Sequence, residues 1–175
     1  MFQVLLTTFL WLVLAPTCGA GSEVGNQNAA AHPPSVPQDV PSDTVITLVR
    51  TNCLGGCEAY TVTVNADGKV LYEGYHDVKQ KGKVESRISQ EKLKELIAAF
   101  KEINYFDLQG LYDRKSAACP SFSFDAPSAI TSLTLNEKKK TIRHNTGCSG
   151  SKELAELTWL ERKIDEAVNV KQWIE

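Results

Sequence analysis

The stretch Cys53-Leu54-Gly55-Gly56-Cys57-Glu58-Ala59-Tyr60-Thr61-Val62-Thr63-Val64-Asn65-Ala66-Asp67-Gly68 decides how this chain folds. Tyr60, Val62 and Val64 alternate with Thr61, Thr63 and Asn65, so an extended backbone here has one apolar face and one polar face. That is the pattern of a half-buried antiparallel strand. Asn65-Ala66-Asp67-Gly68-Lys69 supplies the turn, because Asp and Gly tolerate the positive φ angles of hairpins. Val70 to Tyr75 returns as the partner strand. A pair of cysteines enclosing two glycines stands at the entrance to this hairpin.

Upstream, Thr44 to Arg50 is rich in β-branched residues and reads as the first strand. Downstream, Lys83 to Ile88 gives a fourth strand of weaker pattern after the polar loop His76 to Gly82. Ser89 caps a helix running to about Ile103, with Leu93, Leu96, Ile97 and Phe100 on one face and Lys92, Lys94, Glu95, Lys101 and Glu102 opposite. Tyr105, Phe106 and Leu108 then pack the chain back on the sheet. Leu111 to Ser128 is irregular; a loop of that length in a small domain is either functional or pinned, and Cys119 is the residue to pin it. Ile130 to Leu135 and Lys139 to His144 form a second hairpin across Asn136-Glu137-Lys138. Ser149 or Ser151 caps a last helix that presents Leu154, Leu157, Leu160, Ile164 and Val168 on one face, and Trp173 and Ile174 dock the terminus.

Residues 60–103 and 130–170 thus repeat one order: strand, turn, strand, loop, helix. The fold class is α+β, an antiparallel sheet of about five to six strands with two helices packed on it, arranged as two hairpin-plus-helix units. Duplication and a shared binary pattern explain that likeness equally well.

Residues 1–20 contain no Asp, Glu, Lys or Arg, and Val4 to Ala15 is nearly all apolar before the small residues up to Ala20. This is the pattern of a signal peptide, although Lys and Arg are missing near Met1. Cys18 stands where a bacterial lipoprotein carries its lipidated cysteine, but Ala15-Pro16-Thr17 fits the usual approach poorly. Residues 21–42, with Pro33, Pro34, Pro37 and Pro41, have too few large apolar groups to offset ordering entropy and read as a disordered linker. Residues 43–175 remain as a single domain. The net charge of -2 argues against nucleic acid and against an anionic membrane surface, which leaves membrane contact only through a lipid on Cys18.

Without Cys18, the chain keeps Cys53, Cys57, Cys119 and Cys148. An even number in an exported chain reads as two disulfides. Connectivity cannot be deduced from sequence, and we take Cys53 with Cys57 and Cys119 with Cys148 as the working expectation.

The run Cys53-x-Gly55-x-Cys57-x-x-Tyr60, followed by Asp67-Gly68-x-Val70-x-Tyr72-x-Gly74, resembles a family of exported bacterial domains of unknown function. The likeness continues through Leu93 to Phe100, Tyr105-Phe106, Asp125-x-Pro127 and the helix ending near Trp173, and so covers about residues 44–174. Glu58 stands where that family commonly has Pro. The resemblance implies export to the periplasm or cell envelope and a single domain, and it brings no catalytic residues.

Three chemistries are open at Cys53 and Cys57. A local disulfide suits the flanking glycines and the compartment. A reactive thiol fits less well, since thioredoxin-like pairs enclose two residues at a helix N-terminus, and here there are three before a strand. A zinc site from the four cysteines with His144 or His76 lacks the second closely spaced pair. A hydrolase built from Cys57, His144 and Asp125 has nothing in the sequence to bring those residues together. No phosphate loop, His-Glu-x-x-His or Gly-x-Ser-x-Gly occurs. The reading is therefore a non-enzymatic, exported, disulfide-stapled domain that binds a protein or small-molecule ligand, with no cofactor and no metal. Its alternative is a thiol-redox or metal-binding protein centred on Cys53 and Cys57. A surface site, if present, would draw on Glu58, Tyr60, Asp125 and His144.

Overall fold

The strand Val45–Arg50 (β1), rich in the β-branched residues that suit extended backbone, is the middle strand of the sheet. On one side it pairs antiparallel with β2 (Ala59–Asn65), which is followed outward by β3 (Lys69–His76) and β4 (Gly82–Arg87). On the other it pairs antiparallel with β7 (Ser128–Leu135), followed by β8 (Lys138–Asn145) and the two-residue β5 (Leu111–Tyr112). The order of the seven strands is β4-β3-β2-β1-β7-β8-β5, and β6 (Ser121–Phe122) and β9 (Cys148–Ser149) form a separate two-stranded ribbon. A computed structural model describes residues 40–175, so the expected signal segment, Cys18 and most of the expected linker lie outside the described residues.

The α+β class is as expected, with more strands than the five to six anticipated. The sheet is also mixed, because β5 runs parallel to β8. β5, β6 and β9 are two residues each, too short to show any period, and all lie in or beside the segment that reads as irregular.

Both hairpins have local causes. Gly68 adopts φ +78°, and a Cβ there would come within 2.5 Å of the Ile88 carbonyl oxygen, so only glycine fits the β2–β3 turn. The β7–β8 turn places Asn136 and Glu137 at φ 50° and 64°. Its two amides are held by the Asp43 carboxylate, which accepts from Asn136 N at 3.1 Å and Glu137 N at 2.6 Å.

Helix α1 (Gln90–Glu102) is capped by Ser89, whose hydroxyl accepts from Lys92 N, and α2 (Lys152–Val168) is capped by Ser151 in the same way through Leu154 N. Both lie on one face of the sheet and pack against each other. Leu93, Leu96, Ile97 and Phe100 of α1 and Leu154, Leu157, Leu160, Ile164 and Val168 of α2 are buried against Ile46, Leu48, Val62, Val64, Tyr72, Leu133 and Ile142. Each such side chain contributes about 1.5–3 kcal/mol of transfer free energy. After a short α3 (Lys171–Ile174), Trp173 stacks on Tyr72 with ring centroids 4.7 Å apart, and its carbonyl accepts from Gln80 N. The other face of the sheet carries Thr47, Val49, Thr61, Thr63, Leu71, Ile130 and Ser132, half-buried to exposed. No described helix is long and apolar enough to cross a membrane.

Candidate functional site

Cys53 and Cys57 are joined in a disulfide at the tip between β1 and β2, and Cys119 and Cys148 in a second. At the tip, Leu54 is 91% exposed and Glu58 is exposed. Only Gly56 of the two glycines is required by geometry. It has φ +78°, and a Cβ on it would meet the Asp77 carboxylate at 2.7 Å, whereas nothing lies within 4 Å of a Cβ on Gly55. Asp77 in turn pairs with His76 Nδ1 at 3.1 Å.

Below the tip, one register row crosses the sheet on the helix-covered face: Tyr60, Arg50, Ala129, His144 and Tyr112. Helix α2 lays acids over that row at helical spacing. Glu161 Oε2 accepts from Arg50 at 3.2 Å and its Oε1 pairs with His144 Nδ1 at 2.8 Å. Asp165 accepts from Arg50 at 2.7 Å and from the Tyr60 hydroxyl at 2.8 Å, and Glu153 accepts from the Tyr112 hydroxyl at 2.8 Å. A carboxylate only accepts, so Nδ1 is the protonated nitrogen of His144. Its Nε2 is buried without a partner.

This cluster is electrostatically lopsided, with Arg50 shared by Glu161 and Asp165. Burial alone would lower the Arg50 pKa, but Asp165 and Glu161 outweigh it and raise it. Burial pushes the Asp165 carboxyl up; the Arg50 charge and the hydrogen bonds from Arg50 and Tyr60 oppose that only in part, and the negative charge of Glu161 adds to it. Burial and the neighbouring Asp165 raise the Tyr60 phenol, and burial with the Glu153 hydrogen bond pushes Tyr112 up to about 12. The cluster ties α2 to the sheet and presents no open nucleophile.

Two of the expected surface residues are therefore corrected. Tyr60 is 3% exposed and His144 is 2% exposed, because both point under α2 rather than outward. Asp125 is exposed and sits in a turn with left-handed backbone, φ 63°. The structure does not assemble Cys57, His144 and Asp125: Cys57 is oxidised and His144 Nδ1 faces Glu161. Among the described residues no three His, Cys, Asp or Glu side chains are grouped as metal ligands.

The long segment after β5 forms the other candidate region. Cys119 fastens it to β9, the β6–β9 ribbon fastens it again, and Ser123 N donates to the Gly147 carbonyl. Gly147 is needed there, since a Cβ would lie 2.2 Å from the Ser123 oxygen. Between this strap and the outer face of β8 lie two adjoining hollows that share Asp113 and Asn145. One, of about 410 Å³, is lined by Arg114, Lys115 and Phe122. The other, of about 300 Å³, is lined by Leu111, Ser128 and Arg143. Phe124, 69% exposed, packs edge-on against Phe122 and lies under the Arg114 guanidinium at 5.2 Å.

The sequence profile of a domain of unknown function, DUF6438, matches residues 44–168. The chain belongs to that family. The match to DUF6438 begins one residue before β1 and ends with the last residue of α2. The Trp173 contact with Tyr72 thus lies beyond the stretch that defines the family, yet it completes the core of this member. No curated protein matches the sequence.

Reading the sequence alone missed Arg50, Glu161 and Asp165. A signal was present: Glu161 follows Leu157 by one helical repeat and sits between Leu160 and Ile164, inside the apolar stripe of α2. A carboxylate at such a position is buried and needs a partner.

Proposed function

We propose that this DUF6438 domain is an exported, disulfide-stapled, non-enzymatic binding domain, which meets a protein or small-molecule ligand at the strapped cleft beside β8. The observation behind the reading is a contrast in how polar groups are used. Tyr60, His144, Arg50, Glu161 and Asp165 are committed to one another beneath α2. Among the described residues, Arg114, Lys115 and Arg143 at the cleft make no ion pair. Disulfides of this kind belong to an oxidising compartment, which agrees with a signal segment at residues 1–20.

Full-length expression in a bacterial host, followed by fractionation and intact-mass analysis, tests the export and the staples together. The expected protein lies in the envelope fraction, has lost residues up to about Ala20, and takes up alkylating agent only after reduction. Full-length protein in the cytosol with all five cysteines as free thiols would overturn the reading. A lipid-sized mass increment on Cys18 would add an anchor.

A second reading, thiol-redox chemistry at Cys53 and Cys57, draws on one observation: that disulfide is half-buried at an exposed tip, while Cys119 and Cys148 are buried. Its discriminator is the reduction potential of the tip disulfide. A value near that of a glutathione pool would favour redox exchange, and one well below it a structural bridge.

A further inference from the structure

We infer that the cleft beside Arg143 binds a small ligand carrying a carboxylate or phosphate next to an apolar group. This assigns a ligand class to the binding domain proposed above and rests on that reading. Three features of the cleft lead to it.

The first is the placement of Arg143. It stands on the outer face of β8, in register with Ile130 on one side and Leu111 on the other, so its stem lies between two apolar neighbours. Its backbone amide is committed to the Gly110 carbonyl, and its guanidinium is exposed without an acid. A guanidinium fixed at its base presents paired N–H donors that match a planar carboxylate or a phosphate.

The second is the charge balance of the walls. Among the described residues the only acid lining either hollow is Asp113, whose Oδ1 accepts from Lys115 N at 2.8 Å and from the Ser116 hydroxyl at 3.4 Å within its own turn. Taken together, the adjoining hollows therefore set three cations, Arg114 and Lys115 in one and Arg143 in the other, against the one carboxylate they share, on a chain whose formal net charge is -2. Three cations are too few for a nucleic-acid track. They suffice for one anionic group.

The third is shape. Phe122 forms part of the wall, and Phe124 with Arg114 above it forms the rim. Volumes of about 300 and 410 Å³ lie in the range of small-molecule sites. The Cys119–Cys148 bridge and the β6–β9 ribbon hold this wall against β8 before any ligand arrives, which limits the ordering cost of binding.

The test is an amide and arginine side-chain NMR titration of the folded, oxidised protein with benzoate, phenyl phosphate and the neutral benzamide. Saturable shifts are expected at Leu111 to Lys115, Phe122, Arg143 and Asn145 with an anionic probe, and none with benzamide. Comparing benzoate with phenyl phosphate decides which anion is preferred. Arg143→Gln should weaken binding about tenfold or more, as loss of a charge-assisted pair implies. Lys138→Gln, at the far hairpin, should leave it unchanged. Equal shifts from benzamide and benzoate would overturn the anionic class while leaving a binding domain. Binding that survives Arg143→Gln, or no saturable shift from any probe, would overturn the site. The fractionation and thiol measurement does not depend on this titration, so either reading can fall alone.

Discussion

The two disulfides sit in regions that need them to different degrees. Cys53 and Cys57 are 4 residues apart in sequence, at a tip whose flanking strand ends are already tied down from below: Arg50 and Tyr60 both reach acids on α2. Cys119 and Cys148 are 29 residues apart and join an irregular segment to β9. That segment has a two-stranded ribbon and a few turn hydrogen bonds to hold it otherwise. A crosslink matters most where few other contacts oppose chain entropy, and longer closed loops lose more of it. The tip is held by charge beneath it, the strap by sulfur.

That contrast is most sharply broken at Glu161. Glu161→Ala leaves Arg50 and His144 without their shared acid in a buried setting, and stability measured by denaturant unfolding should fall by about 3–5 kcal/mol. If the loss is below about 1 kcal/mol, the ionic cluster does not hold the tip. Next comes the strap. Cys119→Ala with Cys148→Ala should cost about 3–4 kcal/mol by the chain-entropy account, and hydrogen exchange should rise across 113–127 while the β1–β2 tip stays protected.

Removing Cys53 and Cys57 together should cost less, about 1–2 kcal/mol, because the closed loop is short. In graded reductant followed by alkylation and mass mapping, the tip pair should label first, since Cys119 and Cys148 are buried. Equal losses for the two double variants would erase the distinction between tip and strap.

The smallest effect is one of pH. Burial holds the Asp165 carboxyl above its ordinary value of 3.8, so the folded state takes up that proton before the unfolded chain does. Stability from this group is therefore fully present below 3.8 and is lost as pH rises through the folded pKa. Relative to Asp165→Asn, the natural protein should gain stability as pH is lowered across that window, measured by denaturant midpoints at matched ionic strength. A difference that stays constant with pH would show that Asp165 titrates alike in both states.

Much of the frame was legible in local pattern. The alternation Tyr60, Val62, Val64, the Asp67-Gly68 turn and the Ser89 and Ser151 caps act between residues a few positions apart, and the structure shows those strands, turn and caps. The candidate site was less legible. His144 reads as the end of an exposed strand because its neighbours are Arg143 and Asn145, and only α2 crossing above it makes it buried. Arg143, next in line, points the opposite way and lines the cleft.

What the sequence by itself determined is therefore the set of elements, their caps and turns, the α+β class and four cysteines beyond residue 20. Those follow from periodicity and backbone preference, which are local. Tertiary structure alone decided that β1 is central, that β5 returns parallel to β8, that Glu161 and Asp165 converge on Arg50, and that the strap leaves two adjoining hollows lined by Arg114, Lys115 and Arg143. Those depend on which face of one element covers another, a choice set by the packing of the whole chain and not by any window within it.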